Sequence, residues 1–204
     1  MHVADEPYGP WQASEDRSGA RGTPPPFWAF PWPGGVALAR YLLDTPAVVA
    51  GRRVVDVGCG GGLVSLAALR AGAADVLALD LDPLALTATR LNGDLNQVPA
   101  HLLRTAPADV LDLAGAADGD PLLAELLAAD VVLAGDLFFE RVLAAGMLRL
   151  LRRAASAGCT VLTGDPGRAY LPAAVFDELA AYDVPVSPAL EDAPVRRTRV
   201  LRLR

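Results

Sequence analysis

The sequence predicts an α/β domain in which a parallel sheet is covered by helices on both faces. Three observations carry this. From residue 53 the chain repeats strand, turn, helix. The clearest strand runs, Arg53–Val57 and Asp130–Ala134, are short, apolar and β-branched, the pattern of strands buried on both sides. And 204 residues, 52% of them hydrophobic, suit one ordinary domain with a real core.

The elements follow in order. Residues 1–23 are polar, Gly-rich and unpatterned and read as a flexible tail. The domain is expected over residues 24–204. Pro24, Pro25 and Pro26 end the tail, and the aromatic cluster Phe27, Trp28, Phe30, Trp32 follows. Gly34 and Gly35 open an apolar helical stretch, Val36 to Leu43, closed by Asp44-Thr45-Pro46. After the strand Arg53–Val57 comes a helix, Leu63–Ala71, closed by Gly72. Val76–Leu79 is the second strand, and Asp82-Pro83 starts the next helix with proline at an early helical position. Leu102–Arg104 is a weaker strand. Ala106–Pro121 is rich in Asp, Ala and Gly and reads mostly as loop. Asp130–Ala134 is followed by a helix from about Glu140 to Ala157, and Thr160–Thr163 by a helix over Leu171–Ala181. Val195 to Arg204 is the final strand. No internal repeat is visible.

Composition excludes several classes. The net charge of -6 disfavours a dedicated nucleic-acid binder, which carries a basic surplus. No apolar run reaches the ~18 residues of a membrane-spanning helix. Cys59 and Cys159 make no disulfide framework, and His2 and His101 stand at no metal-ligand spacing with them, so no metal is expected. The N-terminus has no apolar signal core, and Asp5, Glu6, Glu15 and Asp16 argue against a transit peptide. A reducing cytoplasm is the expectation. Lysine and isoleucine are absent and asparagine occurs only at positions 92 and 96, a bias that points to a GC-rich, bacterial gene. The two asparagines stand against that bias and read as caps or braces of the helix after Asp82-Pro83.

The sharpest motif is Val54-Val55-Asp56-Val57-Gly58-Cys59-Gly60-Gly61-Gly62, a strand running through a glycine turn into a helix. Glycines let the backbone approach a ligand, and a helix N-terminus offers free N–H donors. A dinucleotide site requires glycine or alanine at the sixth position from Gly58, where Leu63 stands. A carboxylate at Asp56 would repel a pyrophosphate but attract an ammonium. S-adenosylmethionine (SAM) carries both an ammonium and a carboxylate, matching Asp56 and the helix N-terminus. Asp80, ending the second strand in Leu77-Ala78-Leu79-Asp80-Leu81-Asp82-Pro83, is spaced to accept from both ribose hydroxyls.

Val54–Gly62 and Leu77–Pro83 resemble motif I and the following acidic loop of the class I, seven-strand SAM-dependent methyltransferases. The resemblance implies a Rossmann-like seven-strand sheet of order 3-2-1-4-5-7-6 with an antiparallel seventh strand. More specific segments narrow it. Phe27-Trp28-Ala29-Phe30-Pro31-Trp32-Pro33-Gly34-Gly35 with Leu38–Leu43, then Asn92–Asn96, Gly135-Asp136-Leu137-Phe138-Phe139 and Gly164-Asp165-Pro166-Gly167-Arg168, resemble in the same order the electron transfer flavoprotein β-subunit lysine methyltransferases. The likeness covers residues 24 to 204. It implies that Gly58, Cys59, Gly60, Asp80 and Leu81 contact the cofactor, that Trp32 helps cover it, and that Asp109 and Val110 meet adenine. For Asp109 a surface carboxylate is the competing reading, and for the aromatic cluster simple core packing.

Methyl transfer from a sulfonium is an in-line displacement that needs an unprotonated nucleophile held opposite the methyl group. Asp136, at the end of the fourth strand, could bind and aim an incoming amine, with Glu140 assisting; a helix N-cap is the alternative for Asp136. Phe138, Phe139 and Trp32 could wall a dry pocket. The family shows tyrosine in D-x-x-Y where this chain has Phe139, so a hydroxyl is missing. Asp165 and Arg168 either border the substrate entrance or form a solvated turn. Arg196, Arg197, Arg199, Arg202 and Arg204 give the last strand either a protected edge or a docking face for an acidic protein. The implied activity is lysine N-methylation of a protein partner, the β-subunit of electron transfer flavoprotein. The rivals are a small-molecule, nicotinamide-like N-methyltransferase, another protein methyltransferase such as a ribosomal-protein one, and a non-catalytic SAM-binding scaffold.

Overall fold

The computed structural model describes residues 1–4, 26–187 and 191–204. Most of the expected tail therefore lies outside the described residues. Its first residues dock on the domain: the Ala4 N–H donates to Ala29 O at 2.9 Å, and the His2 N–H to Asn92 Oδ1 at 2.5 Å.

Seven strands form one sheet, β1 (Arg53–Val57), β2 (Asp75–Asp80), β3 (Leu103–Pro107), β4 (Val131–Gly135), β5 (Thr160–Asp165), β6 (Phe176–Pro185) and β7 (Val195–Leu203). Their spatial order is 3-2-1-4-5-7-6, the order the resemblance implied. β1 through β5 pair in parallel, whereas β7 runs antiparallel to both β5 and β6. Consecutive strand residues face opposite sides. Val55, Val57, Leu77, Leu79 and Val132 point into one core cluster, and Val54, Val76, Ala78, Val131 and Leu133 into the other.

The helices cover both sides: α1 (Pro33–Asp44), α2 (Leu63–Arg70), α3 (Pro83–Leu95), α4 (Val110–Gly115), α5 (Pro121–Leu127) and α6 (Arg141–Ser156). Proline at the start of α3 loses no hydrogen bond, and Asp82 caps it by accepting from Leu84 N at 2.8 Å. The amphipathic α6 lays Met147, Leu150, Leu151 and Ala154 into the core.

Two expectations need correction. The stretch 106–121, read as loop, contains α4 and the start of α5. Asp109 and Asp120, which suggested irregular chain, are the N-caps of these helices. The expected helix over 171–181 is instead a short 3-10 turn at Ala173–Val175 leading into β6. Alanine, leucine and glutamate favour a helix there only weakly. The long ladder with β7, from Phe176↔Leu203 to Pro185↔Val195, overrides that propensity.

Candidate functional site

Asp56, Asp80, Asp136 and Asp165 fall at the C-terminal ends of β1, β2, β4 and β5, the edge where open α/β sheets bind ligands. The edge has two halves of different construction.

At β1 and β2 the wall is backbone. Gly58, Gly60 and Gly62 have φ of 68°, 53° and 83°, a left-handed region that strongly favours glycine. The loop is pinned from below and from the side. Gly58 and Cys59 donate their N–H groups to Leu79 O, and Gly60 donates to Asp80 Oδ2 at 2.9 Å. From α3, Thr89 Oγ1 donates to Gly60 O at 3.0 Å and Asn92 Nδ2 to Gly61 O at 2.8 Å. Asn92 thus braces the glycine loop rather than the helix it was expected to brace, while Asn96, at the C-cap of α3, donates to Asn92 O at 2.7 Å. Asp80 also accepts from Asp82 N at 3.0 Å, and burial raises its carboxyl above the usual range. Asp56 is almost fully buried and accepts from Ser65 Oγ at 2.6 Å; burial pushes it up to about 7. Cys59 is buried, its sulfur 3.5 Å from Thr89 Oγ1, and burial pushes the thiol up. Leu81 is largely exposed beyond Asp80. The Ala108 N–H donates to Asp80 O at 2.9 Å, which brings the β3 end, with Asp109 and Val110, beside Asp80. Asp109 Oδ1 accepts from Leu111 N at 2.7 Å, so its carboxylate caps α4. Trp28 lies over the loop: a Cβ on Gly61 would approach Trp28 O to 2.8 Å. Its indole Nε1 is buried with no hydrogen-bond partner.

At β4, β5 and β7 the wall is ionic. Asp136 is buried with a left-handed φ of 63°. Its Oδ2 accepts from Gly34 N at 2.8 Å, and its Oδ1 from Arg168 Nε at 2.5 Å. Trp32, at the N-cap position of α1, makes no side-chain cap; Asp136 supplies one from the neighbouring strand end. This requires α1 to sit directly on the sheet. A Cβ on Gly34 would collide with Gly164 O and lie 2.7 Å from Asp136 N, and one on Gly135 would lie 2.9 Å from Gly35 Cα. The glycine pairs of the W-P-G-G and G-D segments are therefore one close crossing of backbones. Arg168 reaches Glu191 Oε1 at 2.6 Å and stands over the Trp32 ring, 5.9 Å from its centroid. Glu191 in turn accepts from Arg196 Nε at 3.0 Å. The two carboxylates raise Arg168 above its usual value against the opposing effect of burial. Asp165 Oδ1 accepts from Gly167 N and Arg168 N at 2.6 and 2.7 Å, forming the turn, while its Oδ2 is buried without a partner and burial raises its carboxyl.

Two expected site residues sit elsewhere. Glu140 caps α6, accepting from Val142 N and Leu143 N at 2.9 and 2.8 Å; these bonds hold its carboxyl low and commit it to the helix. Phe138 is fully buried, edge-on to Phe176 at 6.0 Å, so it packs the core rather than walling a pocket. Phe139 is exposed, with its ring 5.7 Å from that of Phe27, which is itself 5.7 Å from Trp32. Sequence reasoning missed Ser65, Thr89 and Glu191 as site residues. None of the three belongs to a motif; only the structure brings them in. Phe27, within the quoted aromatic segment, is exposed rather than packed in the core.

The ligand class can be tested on these groups. Carboxylates at the ends of adjacent strands, a left-handed glycine loop and a buried indole donor without a partner fit a molecule carrying an ammonium, a carboxylate and ribose hydroxyls. Together with the sheet order, they define a class I methyltransferase domain of the kind that uses SAM. The family model described as ribosomal protein L11 methyltransferase (PrmA) matches residues 37–150, and the chain belongs to that family. The electron transfer flavoprotein beta subunit lysine methyltransferase of Danio rerio is 43% identical over 147 residues, covering 72% of this chain and 52% of that protein. The ribosomal protein L11 methyltransferase of Synechococcus sp. (strain RCC307) is 43% identical over 100 residues, covering 48% of this chain and 33% of that protein. The chain thus spans about half the length of the flavoprotein-directed relatives it matches, or less for the ribosomal one. Among solved structures, the ribosomal protein L11 methylase of Lactobacillus delbrueckii subsp. bulgaricus matches with TM-score 0.53 at 21% identity, covering 83% of this chain and 78% of that one. At that identity the likeness concerns the fold.

Proposed function

We propose that the protein is a SAM-dependent protein-lysine N-methyltransferase whose substrate is the β-subunit of electron transfer flavoprotein. The observation that carries this reading is the buried carboxylate Asp136 beside an aromatic surface of half-buried Trp32 and exposed Phe27 and Phe139. The name of the Danio rerio relative supports the acceptor. SAM, when bound, supplies the electrophilic methyl group. Asp56, Gly58, Cys59, Gly60, Asp80, Leu81, Asp109 and Val110 would hold it, with Trp32 covering it. On the other side, Asp136 fixes the position of the acceptor nitrogen. A lysine amine of pKa ~10.4 costs about 4 kcal/mol to deprotonate at pH 7.4, and aromatic walls that exclude water lower that cost. Phe139 and Trp32 serve as walls; Asp165 and Arg168 border the acceptor side. Phe139 brings no hydroxyl, so alignment rests on Asp136 alone. In the cell the protein acts in a reducing bacterial cytoplasm, in keeping with two free, buried cysteines.

The second reading, methylation of ribosomal protein L11, is favoured by the family model over residues 37–150. Incubation of the protein with labelled SAM and each purified acceptor, followed by peptide mass spectrometry, decides between them. Label on lysine of the flavoprotein β-subunit is the expected outcome. Label on L11 alone, or on neither, rejects the proposal.

A further inference from the structure

The geometry points to Glu191 as a positioning residue of the acceptor half: by sharing Arg168 with Asp136, it keeps the Asp136 carboxylate only partly neutralised. This rests on the reading of Asp136 as the acceptor-side carboxylate. Four charges alternate in a row. Asp136 accepts from Arg168 Nε at 2.5 Å, Arg168 Nη2 donates to Glu191 Oε1 at 2.6 Å, and Arg196 Nη2 lies 2.9 Å from Glu191 Oε2. The side chains of Asp136 and Glu191 are only 4% and 3% exposed, so water does little to screen them. A guanidinium has a fork of donors that can grip one carboxylate with two bonds or two carboxylates with one each. Here it does the second, with its Cζ over the Trp32 ring. Remove Glu191 and the freed end of Arg168 turns to Asp136, whose charge is then cancelled before any ammonium arrives. The Glu191 segment is well placed for this control. It precedes β7, whose Arg199 pairs in register with Asp165 at the site end of β5. Arg196, more exposed at 34% of its side chain, pulls Glu191 from the far side and sets how much of it is left for Arg168.

The test is steady-state methylation of the flavoprotein β-subunit by wild type, Glu191→Gln, Glu191→Asp and Arg196→Gln, with calorimetric SAM binding and tryptophan fluorescence on each. Glu191→Gln is expected to raise KM for the acceptor roughly 10- to 100-fold, the scale of an ångström-size misplacement. Its SAM affinity should stay within about twofold and its kcat should change less than KM. Glu191→Asp should recover most of the loss, and the tryptophan emission should shift in Glu191→Gln as Arg168 moves over Trp32, a shift that a Trp32→Phe background should abolish. Arg196→Gln leaves Glu191 wholly to Arg168, so acceptor KM should fall a few-fold. This variant keeps the proposal open to test even if Glu191→Gln does not fold. An unchanged acceptor KM in Glu191→Gln, a parallel loss of SAM affinity, or an unchanged or raised KM in Arg196→Gln overturns the assignment. Failure of the wild type to methylate any lysine acceptor is a different result, which removes the functional reading itself.

Discussion

The β1–β2 half of the site and the β4–β5–β7 half solve the same problem, a rigid ligand wall, with different materials. The first is made of backbone. Left-handed glycines turn the chain, and neutral side chains of α3, Thr89 and Asn92, hold the carbonyls of Gly60 and Gly61. The second is made of charge, with Asp136, Arg168, Glu191 and Arg196 in a row whose two carboxylates are buried. A backbone wall suits a ligand that never varies. An ionic wall responds to the charge of what approaches it, which suits a group that must arrive as an ammonium and react as an amine. The comparison teaches that the two halves should fail differently, and substitutions can expose that.

The largest effect is expected where α1 crosses the strand ends of the ionic half. Gly34→Ala drives a methyl group into Gly164 O and Asp136 N and should destabilise the protein by roughly 3 kcal/mol. Thermal unfolding would register this as a Tm loss on the order of 10 °C. Gly35→Ala meets only Val64 Cγ2, at 3.8 Å, and should leave Tm nearly unchanged. Equal behaviour of the two variants would dissolve the crossing as a joint.

Next comes the ionic half. Asp136→Asn keeps size and removes charge; we expect a loss of about 10²-fold in kcat/KM for the lysine acceptor. SAM affinity, measured by calorimetry, should barely move. A matching loss of SAM affinity would erase the division between the halves. The converse variant is Asp80→Ala, which should weaken SAM binding by about 1.5–3 kcal/mol through loss of charge-assisted contacts, with acceptor KM unaltered.

The smallest effect is a pH dependence of the backbone half. Asp56 is raised by burial to about 7, so the folded protein holds a proton that the unfolded chain has lost above the usual carboxyl pKa of about 4. Because the folded state binds more protons in that window, stability contributed by this group falls as pH rises from about 4 to about 7. Ligand binding runs the other way: an ammonium prefers the ionised carboxylate. SAM affinity should therefore rise about tenfold from pH 6 to pH 8, and Asp56→Asn should flatten the profile. A profile equally steep in that variant would shift the titration to another group.

Legibility in the sequence followed the same division. The glycine loop, Asp56 and Asp80 lie within one βαβ stretch, so local order and spacing suffice to find them. Asp109 was correctly located but half read: its place after β3 was visible, its capping of α4 was not. The ionic half draws on residues 34, 136, 168, 191 and 196: the first three meet where α1 crosses the ends of β4 and β5, whereas Glu191 and Arg196 join them through the segment that enters β7, antiparallel to β5. Of the two segments that sequence reasoning misread, 106–121 holds a short helix and the start of another, and 171–181 runs through a 3-10 turn into β6 because β7 lies beside it. The second segment's alanines and leucines state a local preference, and the pairing with Val195–Leu203 decides otherwise. Glu140 and Phe138 were placed in the site because they follow Asp136 in sequence. The turn after β4 sends one to cap α6 and the other inward.

The hydrogen bond from Gly34 to Asp136 also gives the protein a built-in reporter. Because that amide ends on a carboxylate oxygen, its proton resonance depends directly on whether the carboxylate carries charge, and glycine amides fall in an uncrowded region of the nitrogen dimension. A single labelled glycine spectrum recorded while acceptor peptide is added would follow the electrostatics of the acceptor side without touching it. Buried in the first turn of α1, the same amide should exchange with solvent only when the helix lifts from the strand ends. Its exchange lifetime would time the opening of the site.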